Sequence, residues 1–193
     1  MLKSLTPVLI LVILAVSPAA ADMDTANQYL RSGDHARAAE EFRKLAEAGD
    51  PKAQAHLGYM YYTGDGVPQS FSEALKWYEK AAVQGDRDAQ YNLAVAYAFG
   101  EGVQQNFKDA AIWYRRAAEQ GHAAAQYSLG ISYAYGEGVE QDQQIAGEWF
   151  LKSAAAGYVN AQVMVGNMYH TGDRKSTRLN SSHVRSSRMP SSA

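Results

Sequence analysis

The residues with which this sequence could do chemistry are few: five histidines, no cysteine and three short glycine-rich stretches. His35, His56, His122, His170 and His183 are scattered along the chain. No two are four residues apart and no His-Glu-x-x-His motif occurs, so no helix face offers two imidazoles to a metal. Without cysteine there is neither a thiolate nucleophile nor a disulfide. No Gly-x-Ser-x-Gly elbow presents a serine. The stretches GDGV at 64–67 and GEGV at 100–103 and 136–139 have the look of phosphate loops. No strand precedes them and no Gly-Lys-Ser/Thr follows, so they read as turns. The carboxylates fall on polar helix faces, where solvation is their expected role. No catalytic residue, cofactor or metal ion is predicted.

What positions these residues is a repeat. Residues 49–84, 85–120 and 121–156 align without a gap at a period of 36. Gly49, Gly85, Gly121 and Gly157 recur at that step, as do Ala53, Ala89, Ala125 and Ala161, each followed by Gln. Leu57, Leu93 and Leu129, then Tyr61, Tyr97, Tyr133 and Tyr169, then Trp77, Trp113 and Trp149 complete the frame. Ala53, Leu57 and Tyr61 step by four along one helix face. Ala74, Trp77, Tyr78, Ala81 and Ala82 form the apolar stripe of a second helix.

The ends of these helices are also written in the repeat. Asp50 before Pro51 reads as an N-cap followed by proline at the first helical position. Ser70, Asn106 and Asp142 are N-caps at one shared position, and Ser70 with Glu73 has the spacing of a capping box. Gly64, Gly100 and Gly136 stand where the first helix must close in a left-handed conformation. Gly58, Ala81 and Ala82 let helices approach closely, and the tryptophans fill the space between hairpins. One hairpin cannot bury its own apolar face, so the units must stack. The prediction is an all-α fold, an α/α solenoid of antiparallel helix pairs.

Residues 24–48 form a degenerate first pair: Phe42 and Ala46 keep the frame, while Glu41 replaces the tryptophan, as suits a capping unit. Residues 157–172 hold the first helix of a fourth unit. The start of the chain has Lys3, an apolar run from Leu5 to Val16, and alanines at 19–21. That is the layout of a secretory signal peptide over residues 1–21, cleaved near Ala21. Its apolar run is shorter than the ~20 residues a membrane span needs, so no stable span is expected after cleavage. A periplasmic or secreted location follows as the expectation.

The last stretch, 173–193, is Ser/Arg-rich and aperiodic. Asp173 to His183 reads DRKSTRLNSSH and Ser187 to Ala193 reads SRMPSSA. Both strings resemble a translated short-read sequencing adapter, in adapter order and with a gap of index length between them. The expectation is a non-native tail standing where the fourth unit's second helix belongs. Over residues 22–172 the chain has 12 Lys and Arg against 19 Asp and Glu, a net charge of −7. That acidity argues against a nucleic-acid partner.

The motif AQ..LG..Y..G.GV, followed by A..WY and a basic residue before AA, resembles the Sel1-like repeats, relatives of the tetratricopeptide repeats. The resemblance covers about residues 27–172. It implies stacked helix pairs and scaffold or adaptor roles, often in bacterial envelopes. Some cysteine-rich members are linked to β-lactam chemistry; a chain without cysteine does not inherit that.

By similarity to tetratricopeptide arrays, the first helices line a concave face. That register selects Lys52, Ala55, Tyr59, Tyr62 and Thr63, then Asp88, Tyr91, Val95, Ala98 and Phe99, then Ala124, Tyr127, Ile131, Ala134 and Tyr135. With few charges and several rings, it reads as an apolar groove for a partner helix or extended segment. The expected partner-binding residues are Tyr59, Tyr62, Tyr91, Phe99, Tyr127, Ile131 and Tyr135. For Tyr91 and Tyr127, packing against neighbouring first helices is an equal reading. The functional expectation is a non-enzymatic adaptor of the periplasm or envelope. The alternatives are an array attached to an envelope enzyme, and self-association through the C-terminal end.

Overall fold

The computed structural model describes residues 18–170. Residues 1–17 of the expected leader and the whole tail 173–193 lie outside the described residues. Nine α-helices and no strand occur among the described residues: α1 Pro18–Ser32, α2 His35–Glu47, α3 Pro51–Thr63, α4 Phe71–Val83, α5 Arg87–Phe99, α6 Phe107–Glu119, α7 Ala123–Tyr135, α8 Gln143–Ala155 and α9 Val159–His170. Each helix packs on the one before and the one after it, which makes a solenoid of antiparallel pairs. Cleavage after Ala21 would remove residues 18–21 from α1.

Local chemistry sets the helix ends. The Asp50 and Asp86 carboxylates accept from the Ala53 and Ala89 N–H groups at 2.8 Å, capping α3 and α5. In α7 a neutral imidazole takes that place: His122 Nδ1 accepts from the Ala125 N–H at 3.1 Å. Ser70, Asn106 and Asp142 cap the second helices. The capping box expected at Ser70 is only half formed. Its hydroxyl accepts from the Glu73 N–H at 3.3 Å, but its own N–H donates to the Tyr61 carbonyl at 2.8 Å. The Glu73 carboxylate therefore has no donor there and pairs with Lys76 at 2.6 Å.

The GxGV turns work in two stages. Gly64, Gly100 and Gly136 close the first helices at φ of 79, 74 and 75°. The second glycine of each turn, Gly66, Gly102 or Gly138, lies against the start of the preceding unit's second helix. A Cβ there would overlap the carbonyl groups of His35, Phe71 and Phe107 respectively. These turns are seams between units, which is why they carry glycine twice.

The core alternates small and large residues. Leu57, Leu93 and Leu129 are buried, as are the rings of Phe42, Tyr78, Tyr114 and Phe150. Tyr78 and Phe150 fit because Gly58 and Gly130 face them: a Cβ at either glycine would stand 2.7 or 2.6 Å from a ring carbon. The tryptophans do lie at the seams, with Trp77 packed on the preceding cluster, but only half-buried. Their open faces are covered by Lys80 at 4.0 Å, Arg116 at 4.4 Å and Lys152 at 4.0 Å.

The recurring glutamine also has a physical reason. Gln54, Gln90 and Gln126 are buried and donate from Nε2 to the Ala46, Ala82 and Ala118 carbonyls at 3.0, 3.1 and 3.1 Å. These bonds tie each first helix to the last turn of the helix before it. Gln84 and Gln120 then donate to the Oε1 of Gln54 and Gln90 at 2.7 and 2.8 Å. In the third unit Ala156 occupies that place, and Gln126 Oε1 is buried with no hydrogen-bond partner.

Candidate interaction surface

The first helices α3, α5 and α7 carry all seven residues expected to bind a partner, and the structure sorts those residues into two sets. Tyr59, Phe99 and Tyr135 are exposed, at 53, 71 and 70%. Phe99 and Tyr135 are the last residues of their helices, immediately before the closing glycines. Nothing in the core requires three large rings in these places.

The other four are half-buried and engaged with the fold. Tyr62 tilts against Phe71 at 5.4 Å, and its hydroxyl donates to Glu101 Oε1 at 3.3 Å. Burial and the Glu101 carboxylate both push the Tyr62 phenol up. Tyr91 stacks on His122 at 4.5 Å and tilts on Tyr114 at 5.9 Å. Its phenol is raised, first by burial. Tyr127 packs between Phe150 at 5.5 Å and Tyr158 at 5.3 Å. Ile131 packs on the core formed by α5, α6, α7 and α8 and lines a pocket described below. Tyr91 and Tyr127 thus each pack on a ring of a second helix, α6 or α8, and on the residue that precedes the next first helix.

Two concavities open along these helices. The first, about 640 Å³, runs along α3 between α1 and α5. Leu30, Phe42 and Met60 form its apolar floor, and Tyr59 stands over it. His56 lies within it, stacked on Phe42 at 4.8 Å. Its rim holds three carboxylates, Asp65, Asp86 and Asp88, with Lys52 as its only lysine or arginine. Burial lowers the His56 pKa below the ordinary imidazole value, against the pull of Asp86, Asp88 and Asp50. His122 is lowered too, again first by burial, with Asp88 opposing. Its Nε2 stands 3.6 Å from Asp88. Of the rim residues, sequence reasoning picked out only Lys52 and Asp88, without a role. Asp86 and Asp65 lie at a helix start and in a turn, where their types are accounted for by local structure.

The second concavity is a pocket of about 220 Å³ between α7, α8 and α9. Ile131, Ala134, Gly147, Phe150, Met164 and Met168 surround it, with Tyr135 at its edge. It exists because the third unit is underfilled. Where the first unit has Tyr62, Phe71 and Leu75, the third has Ala134, Gln143 and Gly147. Gln143 lines the pocket and donates to the Ala134 carbonyl at 2.7 Å.

Among the described residues, no group of three or more His, Asp or Glu side chains is placed to hold a metal ion. No described helix is long and apolar enough to cross a membrane.

The family model described as Sel1 repeat matches residues 51–86, 87–122, 123–158 and 159–180. The chain belongs to the Sel1 repeat family. Sel1 repeats commonly serve as protein-interaction scaffolds. A protective antigen of uropathogenic Escherichia coli with an SLR fold is similar at 35% identity and a TM-score of 0.75, over 80% of this chain and 34% of that one. A Sel1 repeat protein of Oxalobacter formigenes is similar at 34% identity and a TM-score of 0.76, over 80% of this chain and 65% of that one. This chain thus spans less than two thirds of either relative. The cysteine rich protein B of Helicobacter pylori shares the fold at 20% identity and a TM-score of 0.53, over 65% of this chain and 96% of that one. A search among curated proteins gives no match.

Proposed function

We propose that this Sel1 repeat protein is a non-enzymatic scaffold of the bacterial periplasm or cell envelope, binding a partner segment along its first helices. One observation carries the reading. The residues that stack the units recur every 36 positions and are buried, whereas Tyr59, at a position held by Val95 and Ile131 in the other units, and Phe99 and Tyr135, at a position held by Thr63 in the first, project from the surface. Exposed aromatic rings offer large contact area at low entropic cost, together with a phenol that can hydrogen-bond. The leader-like start supports an exported setting, as does the similarity to a protein described as a protective antigen.

The double variant Tyr59→Ala with Tyr135→Ala tests this directly. It should lose most of the partner that co-purifies with the wild-type protein from the native envelope fraction, while its melting temperature stays within a degree or two. Unchanged partner recovery would remove these rings from the binding surface.

A further inference from the structure

We propose that the surface selects a basic extended segment carrying one bulky apolar anchor, the cation held at the Asp86–Asp88 end of the first groove and the anchor in the α7–α9 pocket. This rests on the scaffold reading above and gives the partner its chemistry.

The first groove supplies the charge preference. Its rim sets Asp65, Asp86 and Asp88 against Lys52, in a chain whose residues 22–172 carry a net charge of −7. Asp65 is already engaged, 2.9 Å from His35 Nδ1. Asp86 and Asp88 stand together at the start of α5: one Asp86 oxygen caps the Ala89 N–H at 2.8 Å, and Asp88, 65% exposed, faces Arg87 Nε at 3.6 Å in an exposed pair that a partner's cation would share or displace. A lysine or arginine of the partner would lay its alkyl stem on the apolar floor and its charged end at these carboxylates. An acidic segment would meet the same rim with repulsion.

The pocket supplies the anchor. An apolar cavity of about 150 Å³ is large enough for a benzene ring, so 220 Å³ accommodates one leucine, methionine or phenylalanine side chain. Met164 and Met168 can shift to fit such a group. Small residues in the third unit, where the first unit has large ones, leave room for a side chain from outside. Asp88 stands at the start of α5, whereas the pocket lies past α7 and toward that helix's C-terminal end. The cation and the anchor are therefore separated both along and across the first-helix face, and an extended stretch of several residues links them.

The test uses fluorescein-labelled peptides and fluorescence anisotropy on the purified protein. One peptide has a lysine pair and a leucine joined by a short serine spacer. A second replaces the lysines by glutamate, and a third replaces the leucine by serine. The lysine–leucine peptide should bind about tenfold or more tighter than either control and weaken as salt rises. Asp86→Asn with Asp88→Asn keeps a capping side chain at position 86 and should cost threefold or more at low salt. Gly147→Leu, which fills the pocket, should erase the advantage of leucine over serine while leaving the lysine–glutamate difference in place. Equal binding of all three peptides, or of none, would overturn the proposal. The native partner's response to the Tyr59→Ala, Tyr135→Ala pair is a separate measurement. A partner lost by that pair, with peptides blind to charge and anchor, would leave the scaffold reading standing and this one refuted.

Discussion

The first and third units share one frame and differ in what they do with it. In the first, Tyr62, Phe71 and Leu75 close the space above the core, and Tyr62 is held by Glu101 at 3.3 Å. In the third, Ala134, Gln143 and Gly147 leave a pocket of about 220 Å³ at the same place. The glutamine ladder shows a parallel contrast: satisfied in the first unit by Gln84, broken in the third by Ala156. A solenoid tolerates this because each unit answers only to its neighbours. Stacking is secured by the glycine seams, the leucines and the caps, which leaves other positions free to carry specificity.

The sharpest way to break the comparison is to overfill both units alike. Gly58→Ala drives a methyl group into the buried Tyr78 ring and should cost about 2–3 kcal/mol. Gly130→Ala meets Phe150, which borders the pocket and can shift into it, and should cost about 1 kcal/mol. Urea unfolding of the two variants decides the matter; equal costs would mean that the pocket gives Phe150 no freedom.

Filling the pocket sharpens the contrast from the other side. Gly147→Leu restores the leucine of the first unit and adds helix propensity, so stability should rise by about 1–2 kcal/mol. A loss of stability would show that the space is not open to a side chain. A smaller gain, about 1 kcal/mol, is expected from Ala156→Gln, whose amide can donate to Gln126 Oε1 as Gln84 and Gln120 do in their units. Thermal melts measure both, and an unchanged Ala156→Gln melt would mean that Gln126 already has its partner.

The smallest effect is that of pH. His56 and His122 have folded pKa values below the unfolded value of 6.5, so the unfolded chain binds protons first as pH falls. Their contribution is complete above 6.5 and is lost as pH drops through the lower folded values. For His122 the loss has a visible cause, since a protonated Nδ1 cannot accept from the Ala125 N–H. His122→Asp, the capping solution of the other units, should flatten part of the decline in melting temperature between pH 7.5 and 5. An unaltered slope would place the sensitivity elsewhere.

Much of this was legible in the sequence because a period of 36 aligns cause with cause. The caps at Asp50, Ser70, Asn106 and Asp142 and the left-handed glycines are local devices, readable from residue type and position. The grooves are not local. Asp65 and Asp86 already satisfy a turn and a cap, so their place on a shared rim appears only when α1, α3 and α5 are assembled. The pocket depends on positions 134, 143 and 147, each unremarkable alone. Tyr91 and Tyr127 carry the same residue type as Tyr59, and only the tertiary partners His122, Tyr114, Phe150 and Tyr158 tell them apart. The recurrence of Gln was visible, but its carbonyl partner lies eight residues back in a different helix.

The central claim is that partners meet the first-helix face. The most direct measurement places a photo-crosslinking p-benzoylphenylalanine at Tyr59, Phe99 or Tyr135 in the native host, with the exposed Ile112 on α6 as the control position. The account predicts one shared crosslinked partner from the three first-helix positions and none from Ile112. The same adduct from Ile112, or none from the three rings, would contradict it.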